Sequence, residues 1–175
     1  MVRRFIGGVV LASVAAFSVA GCGEEKKEGP EVAWAGKACG VLTKGGPLPV
    51  PKLNNASVVK SKASLVKLLE GVSERMRTLE MGLSGLGAPP VDDGEALLNT
   101  VMSNLTSTHS TVTTASRNLE RAKVNDKKSL QQAVGQMGRA FGKYNTYQGP
   151  EQDFRKNPKL NAAFDKAPEC KAKGS

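Results

Sequence analysis

The sequence predicts an all-α fold, an up-down bundle of three long helices with short N- and C-terminal helices. Three observations carry this expectation. Two long stretches place apolar residues at alternating intervals of three and four, and a third repeats the pattern over a shorter span. No stretch of convincing length alternates apolar and polar residues at the period of a strand. The connections between the periodic stretches are short, which favours antiparallel neighbours.

The chain opens with Arg3 and Arg4 and then runs apolar through Ile6, Val9, Val10, Leu11, Val14, Phe17 and Val19. This is the charged n-region and apolar h-region of a secretion signal. It is short for a membrane span, which needs about 20 apolar residues, and Gly7 and Gly8 weaken it further. The segment ends in Val19-Ala20-Gly21-Cys22, which resembles the lipobox of bacterial lipoproteins. The resemblance implies that the Cys22 sulfur carries a diacylglyceryl group and that cleavage before it removes a signal peptide, residues 1–21. The local chemistry suits this. Small residues let an extended backbone enter a protease groove, and the thiol is the nucleophile there suited to thioether formation. The spacing after Arg3-Arg4-Phe5 departs from a twin-arginine signal, so general secretion is expected. The implied location is the extracytoplasmic face of a bacterial cell membrane, reached through the lipid on Cys22.

Three cysteines in an exported chain leave one over. With Cys22 lipidated, Cys39 and Cys170 remain as a pair in a compartment where disulfides persist. Free thiols or a metal site are the alternatives, and His109 as the one histidine makes a zinc site a poor fit. A Cys39–Cys170 disulfide would enclose nearly the whole mature chain and clip the short terminal helices together. On the chain-entropy account it would contribute at most roughly 5 kcal/mol.

Residues 22–30, Cys22 followed by "GEEKKEGP", read as a flexible charged tether. Residues 31–175 then form one domain, long enough for a real core. A helix opens at Pro30, with Val32, Ala35, Cys39 and Leu42 on one face and Trp34 beside it as a packing anchor. "GGPLPVPK" (45–52) is expected to be an extended, proline-stiffened loop. From Ser57 the stripe Val58, Leu65, Leu69, Val72, Met76, Leu79, Leu83, Leu86 predicts the first long helix, stopped by Pro89-Pro90. Asp92-Asp93-Gly94-Glu95 offers a capping box for the second. Its stripe is Leu98, Val101, Leu105, Thr108, Val112, Ala115, Leu119, Ala122. Asn125-Asp126 is a turn and cap, and Leu130, Val134, Met137, Phe141 and Tyr144 mark the third helix. One or two short helices follow Gly149-Pro150, with Asn157-Pro158 as cap and N1 proline and Pro168 as a stop.

The second helix carries no charged residue from Ala96 to Ser116 but many Ser, Thr and Asn. These are mediocre helix formers, so three readings apply: burial between several neighbours, a polar face for a partner or glycan, or O-glycosylation. His109, at the edge of the stripe, is expected to be packed or half-exposed. Gly135, Gly138 and Gly142 punctuate the third helix and point to close helix approach or a mobile segment.

Charge is uneven. Residues 22–116 hold ten basic and ten acidic groups, whereas residues 117–175 hold thirteen basic and six acidic. The basic last third suits lipid headgroups or an anionic envelope polymer, and nucleic acid is not expected for an exported chain. P-loop, GxGxxG, HExxH, GxSxG and CxxC motifs are all missing, so neither an enzyme nor a cofactor or metal is expected.

"EVAWAGKACGVL", "LGAPPVDDG" and "APEC" resemble segments of small lipoproteins of actinobacteria. That resemblance implies an envelope location and no particular activity. The expected function is a non-enzymatic, membrane-anchored helical module that binds an unidentified protein partner or supports the envelope. The alternative is a carrier of a lipid or other apolar ligand held between the helices.

Overall fold

The structure, a computed structural model, describes residues 29–44, 56–144 and 146–171. The signal segment, Cys22, most of the tether and the loop expected at 45–52 lie outside the described residues. The described chain is all helical: α1 (Pro30–Thr43), α2 (Val58–Leu86), α3 (Gly94–Arg121), α4 (Lys127–Phe141), α5 (Pro150–Arg155), α6 (Pro158–Lys166) and α7 (Pro168–Lys171), with a 3-10 turn at Gly142–Tyr144.

α2 and α3 form the long antiparallel hairpin around which the rest is arranged. Ser57 begins α2 by accepting from the Lys60 N–H at 3.3 Å, and Gly87 ends it at φ 77°. The stripe on α3 is buried as its spacing predicts, at Val101, Leu105, Thr108, Val112, Ala115 and Leu119. The capping box expected at its start does not form. Asp93 is left-handed, at φ 57° and ψ 24°, and its side chain caps nothing. An N-cap needs extended backbone to aim its carboxylate at the first turn, and the tight turn Pro89–Gly94 forbids that. In the turn the Val91 N–H donates to the Pro89 carbonyl and the Gly94 N–H to the Val91 carbonyl.

α4 is 15 residues long, against 29 for α2 and 28 for α3. Asp126 caps it with Ser129 in a reciprocal box. The third stripe therefore ends at Phe141, with Tyr144 already in the 3-10 turn. Gly135, Gly138 and Gly142 supply the reason, since each weakens helix propagation. Close helix approach does not explain them, because a Cβ at Gly138 or Gly142 would meet nothing within 4 Å.

Beyond α4 there are three short helices. Asn157 caps α6 by accepting from the Lys159 and Leu160 N–H groups. Pro168, expected only to stop a helix, also opens α7. Cys170 on α7 is bonded to Cys39 on α1, with their Cα atoms 5.2 Å apart.

The core has two parts. Around the disulfide, α1 is buried on most of its circumference, at Val32, Trp34, Ala35, Gly36, Ala38 and Cys39, because α2 covers one side and α6 and α7 the other. Trp34 meets Phe154 edge-on, with centroids 5.0 Å apart at 74°, and Leu83, Leu105, Leu160 and Phe164 close the same cluster. The second part lies toward the other end of the hairpin, where Leu69, Val112 and Leu119 pack with Val124 and Ala133.

Candidate functional site

Two polar constellations and one charged surface stand out from this apolar frame. The first crosses from α2 to α3. Ser73 Oγ lies 2.9 Å from His109 Nε2 and 2.9 Å from Thr113 Oγ1. On the other side of the ring, His109 Nδ1 lies 3.0 Å from a Glu80 carboxylate oxygen. A carboxylate only accepts, so Nδ1 carries a proton and donates to Glu80. His109 and Glu80 side chains are each 19% exposed, so the array is mostly shielded from water.

Hydroxyl, imidazole and carboxylate thus follow in the order of a nucleophile, its base and the group that orients the base. Periodicity placed His109 at the edge of a stripe but gave no sign that Ser73 and Glu80, one helix away, would face it. The array lacks a further requirement of acyl transfer. Ser73 sits in the interior of α2, where backbone N–H groups bond within the helix, so none converges on a developing oxyanion. Its hydroxyl is also shared with Thr113. What the arrangement does well is hold two long helices in register.

The second constellation is a cleft of about 800 Å³ between α3, the segment after the 3-10 turn, and α5. α3 contributes Asn104, Ser107 and Thr108, which share a face at intervals of three and four. Tyr144 comes from the end of the 3-10 turn, Tyr147 and Gln148 from the segment after it, and Gln152, Asp153 and Arg155 from α5. Asp153 is buried to 6% exposure. One of its oxygens accepts from Asn104 Nδ2 at 2.9 Å and the other from Lys156 Nζ at 2.6 Å. Arg155 is held by Glu151 at 3.0 Å and Asp165 at 2.7 Å and lies 5.1 Å over the Phe164 ring. The cleft's charges are therefore answered from within the protein.

Tyr147 is different. Its hydroxyl oxygen is buried and has no hydrogen-bond partner among the described residues. Burial, with a smaller contribution from the charge on Asp153, pushes its phenol well above the ordinary tyrosine range. Beside the cleft, and sharing Thr108, Tyr144 and Tyr147 with it, runs a shallower apolar recess of about 420 Å³ lined also by Met76, Val112 and Phe141.

The uncharged stretch of α3 now has a physical account. The helix packs on α2, α4 and α5, and buried Thr108 bonds back to the Asn104 carbonyl at 2.8 Å. A second set of its polar residues faces the cleft. Several others, including Asn99, Ser103, Thr106 and Ser110, are exposed.

The basic excess is also divided. Lys156 and Lys159 pair with Asp153 and Asp92. Arg121, Lys123, Lys127 and Lys128 are exposed at the α3–α4 turn and make no ion pair among the described residues. Lys62 reaches the same end and donates to the Glu120 and Ala122 carbonyls at 2.7 Å, closing the C-terminus of α3.

Cys39 and Cys170 are brought together, and Cys22 lies outside the described residues. Among the described residues no cluster of His, Cys, Asp and Glu could hold a metal ion, and no helix is long and apolar enough to cross a membrane. Comparison with protein-family models, curated proteins and solved structures finds no match to this chain.

Proposed function

We propose that this chain is a lipoprotein anchored on the extracytoplasmic face of the cell membrane, whose helical bundle is a non-enzymatic binding module. The observation that carries the reading is the partition of the cysteines. Cys39 and Cys170 pair across 131 residues, which leaves Cys22 as the one remaining cysteine, at the end of "SVAGC". A disulfide of this kind belongs to an oxidising compartment, in keeping with an exported chain.

The cleft beside α3 supports a binding role, and the want of oxyanion donors at Ser73 weighs against a hydrolytic one. The basic α3–α4 turn supports contact with an anionic envelope polymer more than with the anchoring membrane. Trp34 at the start of α1 bonds to Gly87 at the far end of α2, whereas Lys62 marks the basic end. Those points on α2 are separated by roughly 37 Å at 1.5 Å per residue. The residues from Cys22 to Pro30 span at most about 28 Å when fully extended. In an upright orientation the bundle would hold its basic end away from the bilayer.

A carrier of a lipid or other apolar ligand is the second reading, favoured by the recess at Met76, Val112 and Phe141. Native mass spectrometry of the purified protein separates the two, because a carrier should arrive with an apolar ligand bound. The anchor itself is tested by intact mass and by fractionation of a Cys22→Ala variant. The mature chain should begin at a diacylglyceryl-modified Cys22, and the variant should leave the membrane fraction. A signal-cleaved Cys22→Ala protein that stays with the membrane would sink the proposal.

A further inference from the structure

We infer that the cleft lined by α3, by Tyr144, Tyr147 and Gln148, and by α5 is a binding site for a neutral sugar, either on a free glycan or as the head of a glycolipid. The inference rests on reading the bundle as an envelope binding module and names the ligand class of that site. Small-molecule sites of this size, within roughly 300–1,000 Å³, are mostly apolar with a few polar groups. This one reverses the proportion, with Asn104, Thr108, Gln148, Gln152 and Asn161 along its walls. Water must be displaced from such groups by a ligand that replaces its hydrogen bonds, or affinity is lost. An apolar ligand cannot do so.

Charge narrows the choice. An anion would need an unanswered cation, but Arg155 is held by Glu151 and Asp165, and Lys156 by Asp153. A cation would need a free carboxylate, but both oxygens of Asp153 are occupied. With Asn104 Nδ2 given to Asp153, Thr108 Oγ1 to the Asn104 carbonyl and Asn161 Oδ1 to Arg155, what remains for a ligand is chiefly the side-chain amides of Gln148 and Gln152. Each side-chain amide offers donors and an acceptor together, which matches neighbouring sugar hydroxyls that both give and take. Tyr144 and Tyr147 add rings whose apolar faces can cover the C–H face of a pyranose.

The buried Tyr147 hydroxyl is the second, independent sign. A buried polar atom with no partner is rare in native proteins and calls for one. Tyr147 lines this cleft, and a turn of its side chain on binding would bring the shielded oxygen to a sugar hydroxyl that supplies the missing bond. The same ring borders the apolar recess, so a sugar carried on a lipid would place its first methylenes along Met76 and Phe141.

The test uses the full-length lipidated protein held in phosphatidylcholine nanodiscs. It is applied to an array of neutral gluco-, galacto-, manno- and N-acetylglucosamine oligosaccharides, with uronate- and phosphate-bearing oligosaccharides alongside. A further arm measures binding to phosphatidylcholine vesicles with and without a diglucosyl diacylglycerol. Retention of a neutral oligosaccharide supports a free glycan as the source, and retention confined to the glycolipid vesicles supports a lipid-borne one. In either arm Tyr147→Phe should weaken binding about fivefold and Gln152→Ala by a similar factor, as expected for one lost hydrogen bond each. Tyr147→Phe should meanwhile leave thermal stability unchanged or raised, because it deletes an unsatisfied group. The inference is overturned if no neutral sugar is retained in any arm, if only acidic sugars are retained, or if both variants bind as the parent does. Cys22 lipidation, read from the intact mass of the same sample, stands or falls separately.

Discussion

The indole Nε1–H of Trp34 donates to the carbonyl oxygen of Gly87 at 3.1 Å, joining residues 53 positions apart. Gly87 is the C-cap of α2, at φ 77°, and its carbonyl lies beyond the reach of the helix's own donors. Trp34 therefore does two things at once. It fills the core against Phe154 and Phe164, and it finishes the end of a helix that glycine and two prolines have broken.

Those two roles can be separated by substitution. Trp34→Phe keeps much of the ring packing but leaves the Gly87 carbonyl without its donor, and should cost about 1–2 kcal/mol. Trp34→Ala removes the ring as well and should cost about 3–5 kcal/mol. Urea unfolding monitored by circular dichroism gives both values. Equal losses for the two variants would show that the hydrogen bond and not the packing dominates.

The Cys39–Cys170 bond joins residues 131 positions apart, and chain entropy alone assigns such a loop about 4–5 kcal/mol as an upper figure. Its effect should also be localised. α1 and α7 depend on the disulfide-side cluster, whereas Leu69, Leu119 and Val124 belong to the other cluster. Reduction should therefore accelerate amide exchange in α1, α6 and α7 well before it does so in the α3–α4 end. Uniform acceleration along the whole chain would mean that the two clusters unfold as one unit.

Much of this arrangement was legible in the sequence because it follows from local rules. The heptad spacing on α2 and α3 fixes which faces are buried, and Ser57 and Asn157 stand where caps are needed. The failures have long-range or conformational causes. Asp92-Asp93 read as a cap, yet Asp93 turned left-handed and Asp92 paired with Lys159, 67 residues away. The cleft was invisible for a similar reason. Asn104, Tyr147 and Gln152 occupy three separate segments, and no spacing rule links them. His109 was placed correctly on its helix, but its partners lie on α2.

The Ser73–His109–Glu80 array should behave as a clasp. Ser73→Ala leaves His109 Nε2 and the Thr113 hydroxyl short of a partner in a mostly shielded site, at a cost of about 1–2 kcal/mol. His109→Ala strands Ser73 and Glu80 together and should cost more. Because the three groups form one network, the double variant Ser73→Ala/His109→Ala should lose less than the sum of the single losses. Strict additivity in a double-mutant cycle would show that the contacts are independent and the clasp is not one.

Asp126 gives the fold a pH-dependent element. The Ser129 backbone N–H, with its hydroxyl, holds the Asp126 carboxyl below the ordinary aspartate range. A folded value below the unfolded one means that the stabilisation is present above about pH 4 and is lost as pH falls through the folded value. Asp126→Asn keeps an N-cap acceptor but has no charge to lose. Amide exchange in the first turn of α4 should therefore be slower in the parent than in Asp126→Asn at neutral pH, and the two should converge in strong acid. A constant difference across the titration would remove the carboxylate from the account.

Two helix-interior glycines should respond to alanine with opposite signs. At Gly138 an added Cβ meets nothing within 4 Å, so Gly138→Ala gains only helix propensity, about 0.8–1.0 kcal/mol. At Gly82 the same methyl group would stand 2.5 Å from Val41 Cγ1 and 3.3 Å from Cγ2. Valine is stiff about χ1 and cannot swing both methyls aside, so α1 must move away from α2. The propensity gain is then outweighed, and Gly82→Ala should lose about 1–3 kcal/mol. Urea midpoints should rise for Gly138→Ala and fall for Gly82→Ala. A rise for both would mean that α1 yields to α2 without loss, and that the seam between them is looser than the Trp34–Gly87 bond implies.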